Sequence, residues 1–89
     1  MVDSNRESGY GRYDVCVRPR TAGRPGAVLE LKSIDTEIGE TVETALASAM
    51  KQIHDRQYAT VLRQAGADPI WLWAAVFDGK RVRVRMERA

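Results

Sequence analysis

Cysteine and histidine are nearly missing from this chain. Cys16 is the single cysteine and His54 the single histidine among 89 residues. No disulfide can close within the chain, and no zinc site of nitrogen and sulfur ligands can be assembled from so few donors. Long apolar runs are missing too. No window approaches the ~20 residues of a membrane-spanning helix, and the N-terminal MVDSNRESG lacks the apolar stretch of a signal peptide. No repeat, low-complexity tract or linker is present. Lysine is scarce, with three against eleven arginines. What remains is an ordinary globular composition, 44% hydrophobic and 29% charged. The expectation is one soluble, cytoplasmic domain spanning residues 1–89, with a modest core. A net charge of +2 is too small by itself to imply a nucleic-acid partner. The arginine bias suits phosphate or carboxylate recognition through the planar guanidinium fork, although codon usage or thermal adaptation explains it equally well.

The most informative stretch is residues 26–33, GAVLELKS. It follows a Pro-Gly turn signal, is rich in Val and Leu, and reads as a strand. Side chains alternate along a strand, so Glu30 and Lys32 share one face while Leu29 and Leu31 share the other. Residues 10–18 also alternate, with Tyr13, Val15 and Val17 opposed to Arg12, Asp14, Cys16 and Arg18. With 19–26 as the loop, the two strands form an antiparallel hairpin. A loop symmetric about Ala22 sets Asp14 opposite Glu30, Arg12 opposite Lys32 and Val15 opposite Leu29. One face is then apolar (Tyr13, Val15, Val17, Ala27, Leu29, Leu31) and is expected to meet the core. The other carries Arg12, Asp14, Glu30 and Lys32. Two directly opposed carboxylates lie about 5 Å apart at Cβ. They share a proton, hold a hard cation such as Mg²⁺, or are neutralised by Arg12 and Lys32 in a surface ion-pair cluster. Lys32 is placed to orient a water or to stabilise an anion.

From Glu37 to about Gly66 the apolar period is helical: Val42, Leu46, Ala49, Met50, Ile53, then Val61, Leu62 and Ala65. Asp35 or Thr36 is expected to cap the start, with Glu37, Glu40 and Glu43 at the positive end of the helix dipole. The stripe falters between Ile53 and Tyr58, which predicts a bend near His54-Asp55, and Gly66 predicts the stop. Gln52 and Tyr58 flank the stripe, and His54 reads as exposed. Residues 70–77, IWLWAAVF, are apolar on both faces, as in a central strand covered on two sides. Asp78-Gly79 is a hairpin signal. After it, Val82, Val84 and Met86 are expected inward and Arg81, Arg83 and Arg85 outward, with Val76 opposite Arg81, Ala74 opposite Arg83 and Leu72 opposite Arg85. Three arginines on one face suit a phosphate backbone, or serve as edge charges against aggregation. The predicted fold class is α/β: a small mixed sheet, ordered strand-strand-helix-strand-strand, with the helix on one face.

Arg12-Tyr13-Asp14, a loop, Glu30-Leu31-Lys32 and then a helix resemble the PD-(D/E)XK nuclease superfamily. SNRESGYGRYDV, LELK, KQIHDRQYA and AVFDGKRV resemble more closely the nuclease domain at the C-terminus of bacterial AAA-ATPase-like proteins, over nearly the whole chain. The resemblance implies a restriction-endonuclease-like core and a metal-dependent DNA nuclease, an endonuclease. It implies Mg²⁺ or Mn²⁺ held by Asp14, Glu30 and the Leu31 carbonyl, with Lys32 acting on the attacking water. Gln52 matches a helix glutamine that some branches place beside the metal. Tyr58 resembles an accompanying tyrosine, at a different spacing. Arg12, Tyr58, Arg81, Arg83 and Arg85 are the candidate DNA contacts. The relatives carry a first helix before this core and an ATPase domain, which suggests an ATPase partner. With that helix missing, bare apolar sheet is expected to be covered by a second copy, with Trp71 and Trp73 as candidates for the contact. A non-catalytic DNA-binding or assembly module on the same fold is the alternative.

Overall fold

A computed structural model describes residues 2–7, 12–34, 39 and 41–89, with the backbone alone at 2–7, 12 and 13. Five strands form one sheet in the order β1-β2-β3-β4-β5. They are β1 (Val2–Glu7), β2 (Arg12–Val17), β3 (Gly26–Ser33), β4 (Ile70–Asp78) and β5 (Arg81–Arg88); α1 (Val42–Asp55) and α2 (Tyr58–Gln64) lie between β3 and β4. β2 runs antiparallel to both β1 and β3, β3 and β4 are parallel, and β5 returns antiparallel to β4. A parallel pair needs a crossover connection, which the two helices supply. The predicted mixed α/β architecture is present with one strand more. β1 carried no signal because only Val2 in VDSNRE is apolar. It is an edge strand held by pairing with β2.

α1 starts at Val42 rather than Glu37. Thr41 caps it: its Oγ1 accepts from the Thr44 amide at 3.2 Å, and Thr44 Oγ1 donates to the Thr41 carbonyl at 3.1 Å. Asp35, Thr36, Glu37 and Glu40, expected in the cap and first turn, lie outside the described residues. The helical stretch is broken just beyond the expected bend. Arg56 closes α1, and Gln57, in the left-handed region at φ 56°, opens α2. The stop at Gly66 is as predicted. Its φ is 81°, its N–H donates to the Arg63 carbonyl at 2.9 Å, and the Ala67 N–H donates to the Leu62 carbonyl at 2.9 Å. This is a Schellman ending. β4 follows a cis Asp68-Pro69 peptide.

The helices pack over β3, β4 and β5. The core comprises Cys16, Val28, Ile70, Leu72, Ala74 and Val76 from the sheet, Ala45, Leu46, Ala49, Met50, Ile53 and Leu62 from the helices, and Ala67. Leu72, 1% exposed, contributes roughly 1.5–3 kcal/mol by leaving water. At the start of β3 the α2–β4 loop comes so close that a Cβ on Gly26 would lie 2.9 Å from Ala67 Cβ.

This places the core on the face opposite to the one expected. Cys16 and Val28 alternate in phase with Asp14 and Glu30, so the helices cover the acid-bearing face. Val15, Val17, Ala27, Leu29 and Leu31 are only half-buried on the other face. β4 lies inside the sheet but is covered on one side alone: Trp73 is 36% and Phe77 40% exposed. Val82, Val84 and Met86, expected inward, are about half exposed on that same open face. Arg81, Arg83 and Arg85 of β5 are on the helix side. The β4–β5 register also moves by two, because Asp78 stays in the strand and the turn is Gly79-Lys80. Val76 thus faces Arg83, Ala74 faces Arg85 and Leu72 faces Glu87. An even shift leaves every side chain on its face. No helix among the described residues is long and apolar enough to cross a membrane.

Candidate active site

The β2–β3 register is the one read from the sequence, with Asp14 opposite Glu30 and Arg12 opposite Lys32. Asp14 is 4% and Glu30 1% exposed, so they do not form a surface ion-pair cluster. Two acids about 5 Å apart at Cβ and withdrawn from water repel strongly unless their charge is met. The α1–α2 junction meets it at Asp14. Tyr58 Oη donates to Asp14 Oδ2 at 2.6 Å, and Arg56 Nη1 donates to the same oxygen. Arg56 Nη1 also lies 3.5 Å from Tyr58 Oη. Burial, then the bond to Asp14, push the Tyr58 phenol up from its ordinary pKa, so it stays a proton donor. Left-handed Gln57 makes this possible by turning the chain between the two donors. The Arg12 side chain lies outside the described residues.

Lys32 follows Glu30 on the same face and lines a groove with Thr44, Ala45 and Ser48. A second groove is lined by Ser48, Lys51, Gln52, Asp55 and Arg56. The two share Ser48. Thr44, Ser48, Gln52 and Arg56 are spaced four apart and therefore form one polar row along α1, beside the buried stripe of Ala45, Ala49 and Ile53. Asp14, Glu30, Lys32, Gln52 and Tyr58 are thus gathered on the helix side of β2 and β3. Leu31 faces the open side and offers the site only its backbone. Arg81, Arg83 and Arg85 share the helix-bearing face but stand apart. The cross-strand row Asp14–Glu30–Ala74–Arg85 puts Arg85 two strands from Glu30, about 10 Å at ~4.8 Å per strand. His54 is exposed and lies 3.1 Å from Glu87 on β5.

Glu30 is not isolated as a residue, yet its Oε2 is buried without a hydrogen bond. Two buried carboxylates facing each other on adjacent strands fit a hard divalent cation, which takes oxygen ligands and often only one or two carboxylates. No cluster of three or more potential ligating residues occurs among the described residues.

A family profile described as the PD-(D/E)XK nuclease superfamily matches residues 1–87. The chain belongs to the PD-(D/E)XK nuclease superfamily. No curated protein and no solved structure matches it significantly. The fold is consistent with a restriction-endonuclease-like PD-(D/E)XK core. Nucleases of this superfamily typically use divalent metal ions, and membership points to a nuclease acting on nucleic acid. Glu30-Leu31-Lys32 has the form of the (D/E)XK in the superfamily's name, and Asp14 is the acid on the strand before it. Sequence reasoning missed Arg56, which reaches Asp14 from the α1–α2 junction of this PD-(D/E)XK superfamily member. The available signal was its place four residues after Gln52, on the same helical row.

Proposed function

We propose that the protein is a metal-dependent deoxyribonuclease that cuts internal phosphodiester bonds. The observation that carries this reading is the facing pair Asp14 and Glu30, buried on adjacent strands, with Lys32 two residues further on and lining a groove with Thr44, Ala45 and Ser48. Asp14, Glu30 and the Leu31 carbonyl would hold Mg²⁺ or Mn²⁺. A bound divalent ion lowers the pKa of water and offsets charge on the phosphoryl oxygens. The remaining work falls to this chain's own side chains. The Lys32 ammonium orients the attacking water and faces the negative charge that gathers on the phosphate as the water oxygen bonds to phosphorus and the sugar oxygen leaves. Gln52 positions the scissile phosphate from the α1 row. Arg12, Arg81, Arg83 and Arg85 contact the DNA backbone, the last three from β5, two strands away from Glu30, while the Tyr58 hydroxyl stays on Asp14.

The protein acts as a homodimer joined through the open sheet face. Val15, Val17, Ala27, Leu29, Leu31, Trp71, Trp73, Ala75, Phe77, Val82, Val84 and Met86 make that face apolar across four strands. Five of its side chains are 36–52% exposed. They alone leave roughly 400 Å² bare, within the range of the largest apolar patch on a typical monomer. With the half-buried neighbours the face approaches the ~800 Å² that each partner contributes to a stable interface. Among the residues of that face whose side chains are described, Arg88, over the Trp71 ring at 5.8 Å, is the one charge, so an identical sheet is its natural complement.

The test is incubation with plasmid and branched DNA in Mg²⁺ or Mn²⁺ against chelator. The expected result is metal-dependent nicking that falls at least ~10²-fold in Glu30→Ala and in Lys32→Ala. Cleavage with no metal requirement, or cleavage unchanged in both variants, rules the reading out. One observation favours a second reading: Asp14 is already neutralised by Arg56 and Tyr58. A non-catalytic DNA-binding or assembly module would show salt-sensitive DNA binding, no cleavage and no metal-induced rise in Tm.

A further inference from the structure

Asp14 Oδ2 accepts from two donors at once, which is full use of a carboxylate oxygen. One donor is neutral and one is a cation. A divalent ion at Asp14 would lie beside the Arg56 guanidinium, two positive charges in a site with little water. The two are therefore rivals for one acid. Their surroundings differ in a useful way. The Asp14 side chain is 4% exposed, whereas Arg56 is 26% exposed and lines the groove with Ser48, Lys51, Gln52 and Asp55. It is also the C-cap that follows α1, so no further turn of helix blocks the outward path of its side chain. Lys51, in the same groove, is already paired with Asp55 at 2.7 Å, with both side chains mostly exposed. A phosphate entering there would find in Arg56 a planar donor suited to two oxygens.

We infer that Arg56 has two positions: in the metal-free protein its guanidinium stands in for the cation at Asp14, and a divalent ion displaces it into the groove, where it takes a nucleic-acid phosphate. Metal entry and substrate grip are then one event. The resting protein keeps Asp14 paired, and Arg56 becomes available as a phosphate donor only once the metal is held. Tyr58 remains on Asp14 and keeps that carboxylate in place during the exchange. This inference rests on the reading of Asp14 and Glu30 as metal ligands, but not on cleavage.

Titration calorimetry with Mn²⁺ and with Ca²⁺, without DNA, tests it in wild type, Arg56→Gln and Arg56→Lys. With its rival gone, Arg56→Gln is expected to bind either ion about tenfold more tightly, and Arg56→Lys to fall between. Adding Asp14→Asn to Arg56→Gln should abolish the gain. In Ca²⁺, the affinity of Arg56→Gln for a short DNA duplex, read by anisotropy, should drop about tenfold. Metal affinity unchanged or weakened in both variants makes Arg56 a mere support for Asp14 and overturns the inference. Tighter metal with unchanged DNA affinity overturns the phosphate position. If Arg56→Gln does not fold, as judged by circular dichroism, Arg56→Lys decides alone in the same direction. Wild-type protein and variants that all fail to bind metal refute the inference together with the metal-site reading. Tighter metal binding by Arg56→Gln in a protein that never cuts DNA leaves the inference standing and removes the nuclease reading.

Discussion

Tyr58 holds a buried acid through a 2.6 Å hydrogen bond, and bonds to charged partners are worth about 1.5–3 kcal/mol. Tyr58→Phe keeps the ring and deletes the bond. Urea denaturation should show it less stable by about 1–2 kcal/mol at neutral pH. The phenol's pKa is raised above its unfolded value of 10.0. The stability it lends is therefore whole below pH 10 and is lost as pH rises through the folded value. Wild type should lose its margin over Tyr58→Phe on that alkaline limb, and a constant margin between pH 8 and 11 would contradict the assignment. At this scale the sequence was informative about Asp14, Glu30 and Lys32, because strand alternation and a symmetric loop are local rules. Arg56 was not legible. Its contact with Asp14 bridges 42 residues and depends on where a helix breaks, which periodicity places only to within a residue or two.

The break itself sits on Gln57, whose left-handed backbone costs a side-chain-bearing residue on the order of 1 kcal/mol. That conformation turns the chain so that Arg56 and Tyr58 both reach one carboxylate. Gln57→Gly should change stability by less than about 0.5 kcal/mol, the relief of strain offsetting the entropy of glycine in the unfolded chain. Gln57→Val should cost about 1–2 kcal/mol, since a β-branched residue tolerates positive φ poorly. Thermal unfolding of the two variants checks this, and equal Tm values would remove the strain from the account. Other elements were legible in proportion to their hydrophobic signal. The Gly66 stop follows from its own chemistry. β1 was hidden because an edge strand needs only backbone partners, and its residues are almost all polar. The β4–β5 pairing slipped by two because Asp78 prolongs the strand to the turn instead of belonging to it.

The whole molecule is a sheet with one clothed face and one bare one. The sequence displayed both sets of alternating residues, but alternation cannot say which set the helices will cover. Burying the acids beneath α1 and α2 reverses the ordinary expectation, and it leaves the more apolar set open. In light scattering at micromolar concentration, the wild-type chain should weigh twice its 10.0 kDa. Trp73→Lys combined with Val84→Lys should weigh 10.0 kDa with unchanged far-ultraviolet circular dichroism. A wild-type monomer at every concentration would eliminate the second copy as the cover. Cys16 brings a practical consequence, for it lies two residues from Asp14 under the helix layer, 7% exposed, and is the chain's one thiol. An alkylating reagent can reach it only when that layer lifts, so the labelling rate is a built-in clock for opening. The cation proposed to lodge between the neighbouring carboxylates would slow the clock by the fraction of molecules it occupied.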